Sequence, residues 1–176
     1  MGDKKSNRAD HESVVADWTE NAKARDNENY HFLRSTKFRD YGFEPDELAG
    51  ELHKQAFQIV DCTRCANCCK TMIVPFDADD IEPIAAHLNM PTAELIEKFL
   101  VADEENDRYL AGQKPCPFLG DDNRCTIYEV RPTVCREYPH TDKEGFVFRT
   151  RGVANNALVC PAVFWLVEQM KRRAFE

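Results

Sequence analysis

Apolar residues recur every three or four positions in three stretches and predict the main helices of the chain. In the first stretch Leu48, Leu52 and Ala56 share one face, and Pro45 suits the first helical turn. The pattern predicts helices over residues 45–60, 79–100 and 161–173; the middle stretch reads as two short helices separated near Pro91, with Thr92 capping the second.

Other segments carry shorter apolar patterns that are typical of extended chain. Residues 70–76 (KTMIVPF) predict a short extended segment, and residues 145–151 (GFVFRTR) alternate well enough to predict a strand. Residues 105–115 (ENDRYLAGQKP) read as a polar connector, and residues 112–140 are irregular and short of core residues. We therefore expect an α+β fold that is mainly helical, with an irregular cysteine-rich metal-binding half and a few short strands.

Length and composition favour one folded domain with an appendage. The chain has 176 residues, of which 43% are hydrophobic, enough to bury a core. Residues 1–44 carry few large apolar side chains, so we expect a polar N-terminal extension, partly helical or mobile, in which Trp18 anchors a helical turn. Residues 45–176 are then expected to form a single cysteine-cluster domain.

The charge and the N-terminal sequence narrow the possible partners and compartments. A net charge of −8 disfavours nucleic acid as a partner, because phosphates would be repelled. The two short helices around Pro91 invite a DNA-binding interpretation, but the second carries mostly acidic residues. No apolar run approaches the length of a membrane span, and no apolar signal-peptide core is visible at the start. We expect a cytoplasmic protein without membrane or nucleic-acid partners; a protein partner stays open.

Four cysteines occupy eight consecutive positions, which we call the cysteine loop (residues 62–69). Two overlapping C-x-x-C steps join Cys62, Cys65 and Cys68, and Cys69 follows directly. A C-x-x-C step lets two thiolates reach one metal, as in zinc sites and iron–sulfur clusters. Because adjacent side chains diverge, we expect Cys68 and Cys69 to serve different centres, the alternative being one cluster with a spare thiol.

The second half of the chain supplies four more thiols. All eight cysteines are candidate metal ligands: Cys62, Cys65, Cys68, Cys69, Cys116, Cys125, Cys135 and Cys160. Cys160 stands where a helix N-cap would be, which favours a thiolate. Cations close in sequence to the cysteines would offset the negative charge of tetrathiolate centres: Arg64, Lys70, Arg124, Arg131 and Arg136.

Alternatives to cysteine ligation are weaker. A disulfide framework would require an oxidising compartment, whereas a cytosolic chain is kept reduced. His140 could substitute as a ligand or support one, although a surface position explains it as well. The acidic pair Asp79 and Asp80 is explained by its place at a helix start. Thiolates bind zinc and iron alike, so the sequence leaves open zinc or an iron–sulfur cluster, [4Fe–4S] if iron.

Three sequence elements together resemble a known family. CTRCANCC, the later KPCPFLGDDNRCTIYEVRPTVCREYP and the late Cys160–Pro161 step look like the CxxCxxCC cysteine-cluster family, the YkgJ-type zinc- or iron-chelating group. The resemblance covers residues 62–161 and includes the element C-x-I-Y-x-x-R-P-x-x-C at residues 125–135. Ala66 departs from the family pattern, which has glycine there; where that glycine has positive φ, the loop geometry here would differ.

The resemblance implies a small metal or iron–sulfur protein and leaves its task open. We expect a carrier or redox protein that needs only its cysteines. The alternatives are an iron–sulfur-dependent enzyme, an oxidoreductase or a relative of flagellin lysine N-methylase, and a zinc-stapled interaction module. No catalytic residue can be named from the sequence. We also expect metal removal to unravel the cysteine-rich half while the helices persist.

Overall fold

A computed structural model describes residues 8–176; the first seven residues of the predicted extension lie outside the described part. The described residues are 60% helical and contain one three-stranded antiparallel sheet, which confirms the expected mainly helical α+β fold. In chain order the elements are α1 Arg8–Asn21, α2 Asp26–Ser35, α3 Pro45–Ile59, α4 Cys62–Cys65, α5 Asn67–Thr71, β1 Pro75–Phe76, α6 Ala78–His87, α7 Thr92–Phe99, β2 Leu100–Asp103, β3 Arg108–Ala111, a 3₁₀ turn Tyr128–Val130, α8 Thr133–Glu137, a 3₁₀ turn Phe146–Arg149, α9 Thr150–Ala157 and α10 Pro161–Phe175.

The chain divides into two compact units. The helical unit comprises Met1–Asp61 and Pro139–Glu176, and the cysteine unit comprises Cys62–Tyr138. Seven of the eight cysteines lie in the cysteine unit, and Cys160 lies in the helical unit. The predicted domain boundary at residue 44 stays a prediction.

Helix α10 is the centre of the helical unit. It packs against α1, α2, α3 and α9, and its Phe164, Val167 and Met170 are fully buried. Burying each such side chain contributes about 1.5–3 kcal/mol. The indole Nε1 of Trp18, on α1, donates to the carbonyl oxygen of Ala157 at 3.0 Å. The anchoring role expected of Trp18 therefore involves a helix of fourteen residues rather than a single turn.

The predicted strand over residues 145–151 is wrong. Residues 146–149 form a 3₁₀ turn that leads into α9. Gly145 has φ 77°, and the carboxylate of Asp46 accepts hydrogen bonds from the backbone N–H groups of Gly145, Phe146 and Val147. Because one carboxylate takes three successive donors, these donors are not available for a strand ladder. Phe146 is buried and Phe148 is exposed, so the alternation reflects burial and not a strand.

The cysteine unit has an apolar core of its own. Phe76, Ile84, Leu95, Phe118 and Ile127 are among its buried members. The expectation that residues 112–140 lack core residues is wrong for Phe118 and Ile127, whose exposed fractions are 3% and 1%. The irregular segment is therefore held by two buried side chains, between which the chain turns.

A small sheet lies beside this core and was only partly predicted. Its strand order is β1–β3–β2. Leu110 on the central strand β3 lies opposite Pro75 of β1 on one side and opposite Val101 of β2 on the other. Residues 75–76 confirm an extended segment within 70–76, but Lys70 and Thr71 belong to α5. Residues 105–115 are not only a connector, because they contain β3.

The two short helices within residues 79–100 are confirmed as α6 and α7. Asn89 has φ 54°, which turns the chain between them. Thr92 is not the cap: Pro91 occupies the N-cap position with an extended backbone, and Thr92 is the first helical residue. Pro91 also accounts for the boundary between the two helices, since its ring cannot continue the preceding helix.

Candidate metal centre

Two very short helices carry the cysteine loop. Helix α4 begins at Cys62 and ends at Cys65, and α5 carries Cys68 and Cys69. Cys62 is exposed, whereas the other three thiols are half-buried. The step from Cys62 to Cys65 is thus a single helical turn, whereas the step from Cys65 to Cys68 crosses from α4 to α5.

Ala66 joins the two helical turns in a left-handed conformation. Its φ and ψ are 48° and 19°. Its N–H donates to the carbonyl oxygen of Cys62 at 2.8 Å, and its own carbonyl accepts from the N–H of Lys70 at 3.0 Å. The left-handed region is costly for alanine because Cβ crowds the following carbonyl oxygen. The alanine at the family's glycine position therefore adopts the positive φ itself.

The neighbouring thiols Cys68 and Cys69 converge. Their sulfur atoms lie 3.9 Å apart. With Zn–S bonds of about 2.3 Å, the edge of a tetrahedral tetrathiolate site is about 3.8 Å. The premise that adjacent side chains diverge is therefore wrong for this pair, although the assignment of the two cysteines to centres stays a prediction.

Cys116 is attached to the cysteine loop through the backbone. Its N–H donates to the carbonyl oxygen of Cys69 at 2.8 Å. From Cys116 the chain makes a tight turn and returns at Cys125, which forms a bridge with Leu119. Gly120 closes this turn, and its N–H donates to the Arg124 carbonyl at 2.8 Å. Cys116 and Cys125 both pack against the core of the cysteine unit.

Cys135 lies on α8, and a buried carboxylate fixes the start of this helix. Asp80 Oδ1 accepts from the backbone N–H of Thr133 at 3.1 Å and from its hydroxyl at 3.4 Å. Its Oδ2 accepts from the N–H of Asp77 at 3.1 Å. Asp80 therefore caps its own helix, as expected, and also the helix that carries a candidate ligand 55 positions later in the sequence. Asp79 is exposed.

The thiols of Cys69, Cys116, Cys125 and Cys135 influence one another electrostatically, and we call them the four-cysteine set. The pKa of Cys116 is raised to about 11 and that of Cys135 to about 12, mainly by burial, with the charge of an ionised Cys69 acting in the same direction. Burial and the charge of Cys69 also raise the pKa of Cys125. The four thiols therefore lie within electrostatic range of one another.

Cys69 is the thiol of this set whose pKa is lowered. The hydrogen bond with Cys68 is the main cause and lowers the pKa of Cys69 to about 7; the charge of Lys70 acts in the same direction, and burial opposes it. An ionised Cys69 among protonated neighbours is a ready first ligand for a cation, because the thiolate is the form that binds metal.

Two of the five predicted cations act on the four-cysteine set. Lys70 favours the thiolate of Cys69, and Arg131 lowers the pKa of Cys125 and Cys135 against the larger effect of burial. The guanidinium of Arg131 is held over the ring of Tyr128, 3.8 Å from its centroid.

The other predicted cations have different partners. Arg124 is exposed beside Asp122, and Arg136 donates to the carbonyl oxygen of Arg131 and to the hydroxyl of Thr133. Arg64 also has an interaction partner. Lys70 and Arg131 are therefore two cations that compensate charge in the four-cysteine set.

The thiols do not stand in the geometry of a bound metal. Within residues 8–176, no three Cys, His, Asp or Glu side chains converge closely enough to hold a metal ion. Rotation between staggered χ1 positions moves a cysteine sulfur by about 3 Å. Four thiols from three chain segments, two nearby cations and a dry apolar backing are the donor chemistry of zinc and iron–sulfur sites. The donor chemistry of these residues therefore fits such a group.

The remaining candidates lie in the helical unit. Cys160 is buried and occupies the N-cap position of α10, as expected from Pro161 at the first helical position. His140 has φ 63°, and its carbonyl oxygen accepts from Arg149. The assignment of either residue as a ligand stays a prediction. None of the eight cysteines is joined in a disulfide.

Comparison with known proteins identifies the family. A family model matches residues 61–161 and is described as "CxxCxxCC: Putative zinc- or iron-chelating domain". The matched segment is more than half of the chain and includes all eight cysteines. The chain belongs to the CxxCxxCC family. No curated protein and no solved structure matches it.

The CxxCxxCC domain spans both units, since its matched range begins one residue before α4 and ends at the first residue of α10. Its description supports zinc or iron as the bound metal and does not choose between them. No helix among the described residues is both long and apolar enough to cross a membrane.

Proposed function

We propose that this CxxCxxCC protein holds zinc or iron through cysteine thiolates and acts in the cytoplasm as a carrier of the metal or of an iron–sulfur cluster. The observation that supports it best is the four-cysteine set, in which three separate segments of the cysteine unit place thiols within electrostatic reach of one another. A carrier needs ligands and a way to release its cargo, and both are supported by these residues.

The protein supplies binding sulfur and charge compensation. Four thiolates around a divalent zinc ion leave a formal charge of about −2. Lys70 and Arg131 stand where they offset that charge. The metal would supply the cross-link between chain segments, and an iron–sulfur cluster would in addition supply an electron-transfer centre.

The protonation state of the thiols supports reversible loading. Without metal, Cys116 and Cys135 have pKa values of about 11 and 12, so both are protonated at neutral pH. Metal binding must displace these protons, and the affinity therefore falls as the pH falls. We expect mild acid to release the metal and neutral pH to allow reloading.

The deciding experiment is elemental analysis of protein purified without oxygen. Zinc, iron and acid-labile sulfide are measured per chain, and the absorption spectrum shows whether a brown iron–sulfur chromophore is present. A chelator-treated, denatured sample is the control for adventitious metal. We expect zinc, or iron with an equal amount of sulfide, that survives gel filtration. A chain that carries neither metal and takes up neither zinc nor iron would refute the proposal.

A further inference from the structure

We propose that the helical unit carries a docking surface for an acidic segment of a partner protein, a segment that also presents an aromatic or aliphatic side chain. The surface, which we call the basic–aromatic face, comprises Arg34, Lys37, Phe38, Arg39, Phe148 and Arg151. It belongs to the helical unit and contains no candidate metal ligand, so the inference goes beyond the proposed function.

The face concentrates positive charge on an acidic chain. The net charge is −8, and 31 of the 176 residues are Asp or Glu. Residues 29–39 and 145–157 nevertheless contain no carboxylate side chain, although they contain several Lys and Arg. The two segments adjoin, because α2 packs against α9. Their cations therefore form a positive region on a molecule whose net charge is negative.

Two cation–ring contacts join the two segments. The guanidinium carbon of Arg151 lies 3.9 Å from the centroid of the Tyr30 ring, and Lys37 Nζ lies 5.8 Å from the centroid of the Phe148 ring. Arg34 is four positions after Tyr30, which places it on the same side of α2. Arg34, Lys37 and Arg151 therefore share one surface.

The cations of the face have no carboxylate partner among the described residues. The ion pairs of residues 8–176 involve none of Arg34, Lys37, Arg39 and Arg151. In the same unit, by contrast, Arg25 is paired with Glu168 and Lys171 with Glu28. A carboxylate brought by a partner would therefore meet cations without first breaking an internal ion pair.

Two phenylalanine side chains project from the same surface. Phe38 and Phe148 are 84% and 81% exposed, which makes them the most exposed large apolar side chains in the described part of the chain. A cleft of about 400 Å³ adjoins them, and its lining includes Phe38, Tyr41 and Val147. Aromatic side chains and arginine are enriched at protein interfaces. The face therefore offers apolar contact for one anchoring side chain and cations for the carboxylates around it.

Carboxylates at both ends of the α2 segment favour a short protein segment over a nucleic acid or a membrane. Asp26 and Glu28 precede residues 29–39, and Asp40 and Glu44 follow them. Asp40 and Glu44 also line the cleft. A phosphate backbone or an anionic lipid surface that extends past the face would be repelled by these groups and by the net charge. A short acidic segment ends within the face and avoids them.

The test selects ligands from a displayed library of random short peptides, with the full chain as purified as the bait. We expect enriched peptides that combine an excess of Asp and Glu over Lys and Arg with an aromatic or aliphatic residue. A synthetic copy of the most enriched peptide is then titrated against the natural sequence, and its affinity should fall as the salt concentration rises, because the charges are exposed. No enriched peptide, or enriched peptides without an acidic excess, would overturn the proposal.

Variants of the face establish whether the peptide binds there. Phe38→Ser and Phe148→Ser should each weaken binding about tenfold, as truncation of an interface anchor does. Because both side chains are exposed, the circular dichroism should stay that of the natural sequence. Lys37→Glu should also weaken binding about tenfold and reduce its salt dependence. Natural affinity in both phenylalanine variants, or in Lys37→Glu, would overturn the proposal.

Two variants of the cysteine unit are matched controls. Val101→Ser removes an exposed apolar side chain, and Lys98→Glu reverses a cation that also lies over a ring, that of Phe99. Both should bind the peptide within about twofold of the natural sequence, as surface substitutions away from a binding site do. Equal weakening by these controls would show an effect of net charge or of general surface hydrophobicity, and would overturn the proposal.

Other occupants of the face are tested with the same variants. The probes are a single-stranded RNA oligonucleotide, vesicles that contain phosphatidylserine, and a second copy of the chain, followed by gel filtration. We expect the natural sequence to bind neither RNA nor vesicles and to stay monomeric. Binding of RNA or vesicles, or dimerisation, that is lost in Phe38→Ser and Phe148→Ser would assign the face to that occupant and overturn the proposal of an acidic protein segment.

Discussion

Ala66 holds the cysteine loop in a backbone conformation that glycine adopts at lower cost. Its φ of 48° lies in the left-handed region, and its side chain is 5% exposed. Ala66→Gly stabilises the folded state by removing the Cβ strain, and the greater entropy of glycine in the unfolded state offsets part of this gain. We expect a net increase of about 0.5–1 kcal/mol in the free energy of unfolding. Urea unfolding of the metal-free protein measures it.

The same substitution in an ordinary helix provides the control. Ala86 is exposed on α6, in the same unit, and Ala86→Gly should lower the free energy of unfolding by about 1 kcal/mol. If both glycine variants are destabilised alike, Ala66 carries no left-handed strain that glycine relieves.

Residue types and spacings predicted the candidate ligands but not their partners. The sequence identified Asp80 as a helix-start residue, which is confirmed by its bond to Asp77. Its second bond, to Thr133, joins positions 53 apart and has no local signal. The contact between Cys68 and Cys69 was likewise missed, because the sequence analysis assumed that adjacent side chains diverge.

At the scale of elements, α8 depends on a carboxylate supplied by α6. We expect Asp80→Ala to lower the free energy of unfolding of the cysteine unit by about 1–3 kcal/mol, because the buried Asp80 carboxylate accepts hydrogen bonds from the backbone N–H groups of Asp77 and Thr133 at two helix starts. It should also speed the transfer of metal to a competing chelator, since Cys135 loses the cap that positions its helix. Chemical denaturation and the rate of chelator transfer are the measurements.

Asp79→Ala is the matched control for this prediction. It removes the same charge from the same helical turn, but its side chain is exposed, so its effect should stay below about 1 kcal/mol. Equal effects of the two variants on stability and chelator transfer would mean that helix charge, and not the link to Thr133, is responsible.

Elements with helical periodicity were predicted well, and elements set by tertiary contacts were not. The bounds of α3 and α10 follow from their prolines and apolar stripes. The pattern of residues 145–151 suits a strand, but the carboxylate of Asp46, a hundred positions away, folds it into a 3₁₀ turn. The hairpin of β2 and β3 was missed because its strands are four residues long and its turn is polar.

At the scale of the molecule, each unit has buried apolar residues of its own, so metal removal should act on one more than on the other. The cysteine unit keeps an apolar core around Phe76, Leu95 and Ile127, but its segment from Cys116 to Cys135 has little regular secondary structure. Without metal, that segment is held by a few buried side chains and a tight turn. Local unfolding of that segment therefore costs less free energy than unfolding of the helices.

We expect chelation to raise hydrogen exchange over residues 112–138 while α3 and α10 keep their protection. Most of the helical circular dichroism should survive, because the helices α1, α2, α3 and α10 lie in the helical unit. This unit is held by buried apolar side chains such as Phe164, Val167 and Met170. Exchange followed by mass spectrometry, with and without chelator, resolves the two regions. The metal-loaded protein re-examined after return of zinc or iron serves as the reversal control. Complete loss of helical circular dichroism on chelation would show instead that the metal holds the whole fold, as it does in small zinc domains.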